Sequence, residues 1–498
     1  MKVSKKDPAS LAKPGSPSKK DISRRSPSKN DISAGELSEG QAPKADTSPG
    51  KVAGIIAEYN PIHDGHIYHL EKTREMSKAD FVVAVMSGYF TQRGTPAVSG
   101  KWERARAAID AGVDLVLETP FMYACSSAEF FARGGVGVLA GLGCIDYISF
   151  GSECGDISIL QKAASIFANE SEDYRAALRE ALSEGKSFPV AREEAFASAL
   201  KNSCPALKPS EKQQLLEVLR EPNNILGIEY LKALELLKNG RFGGRGEGYG
   251  DDVAGSCDSV TSPYSGGAGP HGDAASPYSG DAALPGNGAG SRGGDVNPYC
   301  VDIKPITVKR KGGGHHTTAS ELRAEMDIDQ SGFFALVRGA VLRCSLSELE
   351  QIASAGEGLG NKLKKEIRKA KDIENLIERV KSRRYTETRI CRLLTQTLIG
   401  LKKQDLIGAP SLYARVLGLN EKGAELLRYI KKKESARIPV ITNMNKDVFG
   451  SEDERFSAGS SLRKSIDRDI LAGDLYNLAF GFDLYSNSDY VAGPYIKK

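Results

Sequence analysis

Four short apolar runs alternating with helical patterns constrain this chain more than any other feature. The runs are Val52–Ala57, Phe81–Met86, Asp114–Glu118 and Tyr147–Phe150. Between them, residues 66–76, 101–111 and 126–141 place apolar side chains at helical spacing. Strands that alternate with helices form βαβ units, and right-handed crossovers make the strands parallel. All strands of such a sheet end on one edge, so the loops that follow them meet there. These loops are Asn60–Gly65, Ser87–Gly94, Thr119-Pro120 and Gly151-Ser152-Glu153. Ser87-Gly88 and Gly151-Ser152 let backbone approach a ligand closely. Taken singly each reads as an ordinary turn; their repetition along one edge, where ligands of open α/β sheets bind, indicates a nucleotide pocket.

The first loop carries the chemistry. His63 and His66 sit three residues apart where a strand hands over to a helix. A helix start offers unpaired N–H groups and positive partial charge, which suit a phosphate. Two imidazoles there can donate hydrogen bonds to phosphoryl oxygens as charge builds in a transition state. No Ser–His or Cys–His constellation for covalent catalysis is evident.

Residues 155–238 read as mostly helical. Within them Glu221-Pro222-Asn223-Asn224 opens a helix, and either an Asn caps it or one amide reads the nucleotide. Asp302–Arg310 reads as a further strand. After a Gly-rich turn at 312–314, Thr317–Arg323 reads as a second helix start, with Thr318 or Ser320 as cap. Arg310, Arg323 and Lys101 are candidates to neutralise phosphates. His315-His316 lacks a third ligand at sensible spacing, so no metal site is assigned.

Two segments cannot form a core. Residues 1–50 are a basic tail, with ten Lys or Arg against six Asp or Glu, and Ser16–Ser23 recurs as Ser26–Ser33. Residues 240–298 hold 17 of the 53 glycines and repeat Ser-Pro-Tyr-Ser-Gly at 262–266 and 276–280. Both are expected to be disordered, and a long insertion adds little closure entropy. The insertion therefore divides one α/β domain into 51–239 and 299–330, followed by a mostly helical, basic domain over 331–498. Residues 357–403 carry 14 Lys or Arg against 6 Asp or Glu. Lys364, Lys365, Arg368, Lys381, Arg383, Arg384 and Arg389, with Tyr385 interleaved, suit an RNA backbone; a solvated helix face is the alternative. After residue 405 further helices are expected, then weakly patterned sequence.

The eight cysteines contain no CxxC pair, so reduced thiols in a cytoplasm are expected. There is no apolar run of membrane-spanning length and no apolar segment of signal-peptide type. No obligate protein partner is indicated.

Asn60-Pro-x-His63-x-Gly65-His66 after a strand resembles the HxGH signature of adenylyl-transferring nucleotidyltransferases. Thr317–Arg323 resembles their second signature, a Ser/Thr-rich helix start closing in Arg, with Leu322 in place of Ile. Ala57–His66 combines with Val85-Met-Ser-Gly88, Gln92-Arg-Gly94, Lys101-Trp102, Phe150-Gly-Ser-Glu153, Asn223–Gly227 and Lys381-x-Arg383-Arg-Tyr-Thr-x-Thr-Arg389. Together these resemble the bacterial tRNA(Met) cytidine acetate ligase family.

The resemblance implies a Rossmann-like nucleotidyltransferase domain with a parallel sheet. It implies an ATP site on Ile56, Ala57, Glu58, Tyr59, Asn60, Pro61, Ile62, His63, Asp64, Gly65, His66, Ile67, Tyr68 and His69, with Gly151, Asn223 and Arg310. It further implies that ATP, with Mg²⁺, activates acetate as acetyl-adenylate. The acetyl group then passes to the N4 amine of the wobble cytidine of elongator tRNA(Met), releasing AMP. An adenylyltransferase acting on a small phosphorylated metabolite and a catalytically idle RNA-binding protein are the alternatives; the basic segment favours the ligase.

Overall fold

In the computed structural model the described residues are 49–241, 302–310, 321–323, 326, 328–356, 358–406 and 412–498. The expectations for the tail, for the Gly-rich insertion, for His315-His316 and for the caps Thr318 and Ser320 lie outside them.

The four apolar runs form β1 (Val52–Ala57), β2 (Phe81–Ser87), β3 (Leu115–Thr119) and β4 (Tyr147–Ser152), and the segment after the insertion gives β5 (Lys304–Lys309). All five are parallel, in the order β5-β4-β1-β2-β3. The strand order reverses at β1, which lies between β4 and β2. The crevice beyond the carboxyl ends of β1 and β4 is therefore a topological switch point, where ligands of such sheets bind.

The strands read as continuous apolar runs because both faces are covered. Val52 and Ile56 of β1 pack with Val83, Val85, Leu115 and Leu117 on one face. Ala53 and Ile55 pack with Val82, Ala84, Met86 and Val116 on the other. On the first face the helix Ala128–Gly141 lies close against β1. A Cβ at Gly135 would stand 2.7 Å from Ile56, and one at Gly54 2.7 Å from Leu139. These glycines set the depth at which the helix seats, and so the position of the strand end that bears the histidines.

The weakly patterned C-terminal region contributes to the same sheet. β6 (Ala414–Leu419) pairs antiparallel with β3, and β7 (Val440–Ile441) and β8 (Tyr495–Ile496) pair with β6. A buried charge cluster ties this region to β3. Lys101 Nζ lies 2.8 Å from both Glu118 carboxylate oxygens and from Asp489 Oδ1, and Arg415 Nη2 lies 3.0 Å from Asp489 Oδ1.

The basic segment is helical, over Leu359–Glu366, Ile373–Val380 and Glu387–Ile399. The last of these docks on the loops that follow the strands. Thr395 Oγ1 donates to the Gly94 carbonyl at 2.7 Å, and Gln396 Nε2 to the Cys125 carbonyl at 2.7 Å. Among the described residues no helix is long and apolar enough to cross a membrane, and the six described cysteines are free.

Candidate active site

β1 ends at Ala57, and Tyr59 then takes a left-handed backbone conformation, φ 45°. That conformation costs an L-residue about 1–2 kcal/mol. It is held because the Tyr59 ring is buried, edge-on to the His66 ring with the two ring centroids 5.0 Å apart. The chain then enters the helix Asp64–Ser77 with His63 as its N-cap.

Both histidines close this helix start. His63 Nδ1 accepts from the Gly65 N–H at 3.0 Å, and His66 Nδ1 accepts from the His63 N–H at 3.3 Å. A neutral imidazole that accepts at Nδ1 carries its proton on Nε2. Each ring therefore turns an Nε2–H donor away from the cap. The rings lie 3.9 Å apart, centroid to centroid. Burial, then His63, His69 and Arg310, push His66 down to about 3. Burial and Arg310 push His69 down to about 4. Burial and Arg310 lower His63 too, against the opposing charge of Asp64. At neutral pH all three are uncharged donors.

A cavity of about 390 Å³ opens at the switch point. Ile56, Ala57, Glu58, His63, Asp64, Gly65, His66, Tyr68 and His69 line it from the first loop and helix, with Gly151, Asn223 and Arg310 opposite. The predicted residues from separate segments are thus brought together. Tyr59 supports His66 from beneath. Asn60 is buried, its Oδ1 accepting from the Val98 N–H at 2.8 Å. Pro61 and Ile62 are half-buried outside the cavity wall, and Ile67 is exposed. Arg323 stands on a second cavity, where its Nη1 donates to the Asn60 carbonyl at 2.9 Å.

Neither Asn223 nor Asn224 caps the helix Pro222–Lys238: its N-cap is Glu221, with no side-chain cap hydrogen bond. Asn224 Oδ1 accepts from the Glu153 and Cys154 amides at 3.0 and 3.1 Å, pinning the loop after β4. Glu153 in turn accepts the Asn223 and Asn224 amides at the helix start, at 3.2 and 2.8 Å. Asn223 faces the cavity and accepts from Arg310 Nη1 at 3.2 Å, so the amide aims the guanidinium. At Gly151 an added Cβ would meet nothing closer than Arg310 Cγ, at 3.5 Å. The protein itself leaves that space open.

Two expectations need correction. Lys101 does not reach the cavity: it is fully buried and ion-paired with Glu118 and Asp489. Gly88 faces the Glu118 side chain, and its carbonyl accepts from Arg104, so it serves packing and not ligand approach. Sequence reasoning also missed the apolar end of the cavity, where Phe131, Phe150, Leu226 and Tyr230 gather. These are ordinary core residues by pattern, and only the fold shows that they share a wall. Gln92 and Arg93 line the cavity as well; the Gln92-Arg-Gly94 string was their only signal.

On the basic segment Lys365, Arg368, Lys381 and Arg383 are exposed, and Lys364 and Arg384 are half-exposed. Lys364 Nζ donates to the Leu342 carbonyl at 3.0 Å, and Lys381 Nζ lies 3.2 Å from Glu387. Arg389 holds the Ser354 and Ala355 carbonyls at 3.1 and 3.3 Å and lies over the Tyr385 ring. Tyr385 is buried. These two therefore shape the segment from within, and Tyr385 is not exposed for a base to stack on.

A parallel sheet with paired histidines capping the helix at its switch point defines a nucleotidyltransferase site, and residues 50–240 and 315–489 match the HIGH Nucleotidyl Transferase family. Within that class, the chain belongs to the tRNA(Met) cytidine acetate ligase family. It is 34% identical over 440 residues to the ligase of that name from Acetivibrio thermocellus, covering 86% of this chain and 95% of the relative. It is 35% identical to that of Thermoanaerobacter sp., covering 90% and 99%. Thermotoga maritima TmcAL bound with alpha-thio ATP superposes with a TM-score of 0.69 at 27% identity, covering 90% and 99%.

Proposed function

We propose that this chain uses ATP to activate acetate and transfers the acetyl group to the N4 amine of the wobble cytidine of elongator tRNA(Met). The observation that carries the reading is the pair of neutral imidazoles, both with Nε2–H free of the helix cap, set beside Arg310 on one cavity. The name of the relatives supports the substrates, and the ATP analogue in the Thermotoga maritima structure supports the nucleotide.

The base of ATP occupies the apolar end, against Phe150, Leu226 and Tyr230. The triphosphate runs towards the N-terminus of the helix Asp64–Ser77, whose dipole favours anions. An acetate oxygen attacks the α-phosphorus, the new P–O bond forms, and pyrophosphate leaves with the electron pair. Negative charge grows on the α-phosphoryl oxygens, and His63 and His66 donate to them. A neutral donor suits this role because it needs no proton uptake before the reaction. Arg310, held by Asn223, neutralises the departing phosphates.

Among the described residues no group of three or more His, Cys, Asp or Glu is placed to hold a metal ion. Mg²⁺ in this reading arrives with ATP, as part of the substrate. The exposed basic side chains Lys365, Arg368, Lys381 and Arg383 hold the tRNA backbone. The chemistry is housed at the carboxyl ends of β1 and β4, and RNA binding on the basic helical segment 359–399.

The test is incubation with ATP, labelled acetate and tRNA. Acid-stable acetyl label in RNA, with AMP and pyrophosphate in equal amount, is expected. An unlabelled RNA, with pyrophosphate released only when a phosphorylated metabolite is supplied, would replace this reading by the metabolite adenylyltransferase.

A further inference from the structure

A second cavity, of about 200 Å³, lies beside the first and shares Glu58 and Arg93 with it. Its other walls come from Asn60, Thr91, Thr95 and Arg323, and from Glu387, Thr388 and Cys391 at the start of the helix Glu387–Ile399. We infer that this cavity receives the acceptor pyrimidine, flipped out of the RNA, and that Glu58 takes the proton from its amine during acetyl transfer. The inference rests on the acetate-dependent reading above.

Three observations converge on it. The first is position. Glu58 belongs to both cavities, so a group held in the second meets an activated acyl group held in the first across one carboxylate. Glu58 Oε1 accepts from the Gln92 N–H at 2.6 Å, while Oε2 has no hydrogen-bond partner among the described residues.

The second is chemistry. Cytosine presents an amine donor beside two acceptors, N3 and O2. The cavity offers carboxylates, Glu58 and Glu387, and guanidiniums, Arg93 and Arg323. A carboxylate is the usual acceptor for a cytosine amine. Uracil would present an oxygen in place of the amine, against a carboxylate. Acetate, a two-carbon anion, would fill little of a cavity of about 200 Å³.

The third is access. The helix that supplies Glu387 and Thr388 follows directly on Lys381, Arg383 and Arg384. A phosphate backbone held there presents its nucleotide at the cavity mouth. Enzymes that act on a base commonly take it out of the stack into such a pocket.

The step balances simply. The amine lone pair attacks the acetyl carbonyl carbon and a C–N bond forms. The bond from that carbon to the AMP phosphate oxygen breaks, and AMP leaves with its electrons. The amine proton passes to Glu58 Oε2 and then to water. Burial raises Glu58 above the usual carboxylate range, opposed by the Gln92 amide and by Arg104, Arg93 and Arg323. Such a shift strengthens it as a base.

The experiment uses the full chain, elongator tRNA(Met) and synthetic acetyl-adenylate, which bypasses acetate activation. Single-turnover acetylation of the RNA is followed for wild type, Glu58→Gln and Thr388→Leu. Glu58→Gln removes the base at constant shape, and Thr388→Leu fills the cavity from a half-exposed position. Both are expected to slow transfer, Glu58→Gln by roughly 10²-fold, the low end for loss of a general base, and Thr388→Leu by excluding the base from the cavity. Thr388→Leu is expected to retain acetate-dependent exchange of pyrophosphate into ATP and the wild-type melting temperature. Transfer at the wild-type rate by either variant overturns the inference. So does Thr388→Leu losing exchange in step with transfer, which would place acetate in this cavity. Wild type without acetate-dependent exchange overturns the acetate reading and the inference with it.

Discussion

Replacing His66 separates its two jobs. Its Nδ1 closes the helix cap by accepting the His63 N–H, and its Nε2–H faces the nucleotide cavity. Loss of a cap contact costs about 1 kcal/mol of stability, against about 5–15 kcal/mol for a typical domain. Loss of one preorganised donor to a developing oxyanion costs about 10²–10³ in rate, or roughly 2.7–4 kcal/mol. His66→Ala should lose both. His66→Gln should lose only the second, because Gln at the third helical position is itself a capping-box partner. The assay is acetate-dependent exchange of labelled pyrophosphate into ATP, with urea unfolding of each variant alongside. Exchange should fall by about 10²–10³ in both variants, with Gln near wild-type stability. A Gln variant exchanging at the wild-type rate would refute the reasoning. A loss confined to KM for ATP would refute it too, since that signals uniform binding and not transition-state stabilisation.

Gly151→Val should leave the fold intact, since a Cβ there meets only ordinary contact at 3.5 Å; ATP affinity by calorimetry should fall roughly tenfold or more, as overfilling costs about 1–3 kcal/mol. Stability should drop on acidification. His66 and His69, held down at about 3 and 4, stay neutral in the fold, while the unfolded chain protonates both below its ordinary value. The contribution is absent above that value and grows as pH falls towards the folded ones; urea titrations of His66→Gln should show a slope shallower by about 1.4 kcal/mol per pH unit. The double change Arg383→Ala, Arg384→Ala should weaken tRNA binding and reduce the log–log salt slope by about 1–2. An unchanged slope would mean that these side chains touch no phosphate.

The first half of the fold was legible because βαβ order is local: each apolar run sits beside the helix that covers it. β6 was not. Ala414–Leu419 is interrupted by Arg415, which reads as a surface charge but is buried against Glu118 and Asp489. Lys101 misled for the same reason. Its partners stand 17 and 388 residues away in the chain, and no sequence window shows them. At the site, the histidines, Gly151 and Arg310 were readable as strand-end residues, and Asn223 as part of a helix start. That Glu58 and Arg93 serve two cavities was not, because it depends on a helix from residue 387 onward docking over the loops of β1 and β2. Tyr385 shows the opposite error: an aromatic interleaved among basic residues read as part of an RNA-facing surface, and the fold uses it as core.

The central claim is that ATP is opened at its α-phosphorus by an acetate oxygen. Acetate labelled with ¹⁸O on both oxygens, supplied with unlabelled ATP, tRNA and the wild-type chain, tests it directly by mass spectrometry of the products. One acetate oxygen becomes the oxygen that bridges carbon and phosphorus, and it stays with phosphorus when the amine attacks. The account predicts one ¹⁸O in AMP and one in the N4-acetyl group of the modified cytidine. AMP without the label, or the label appearing in inorganic phosphate, would contradict it.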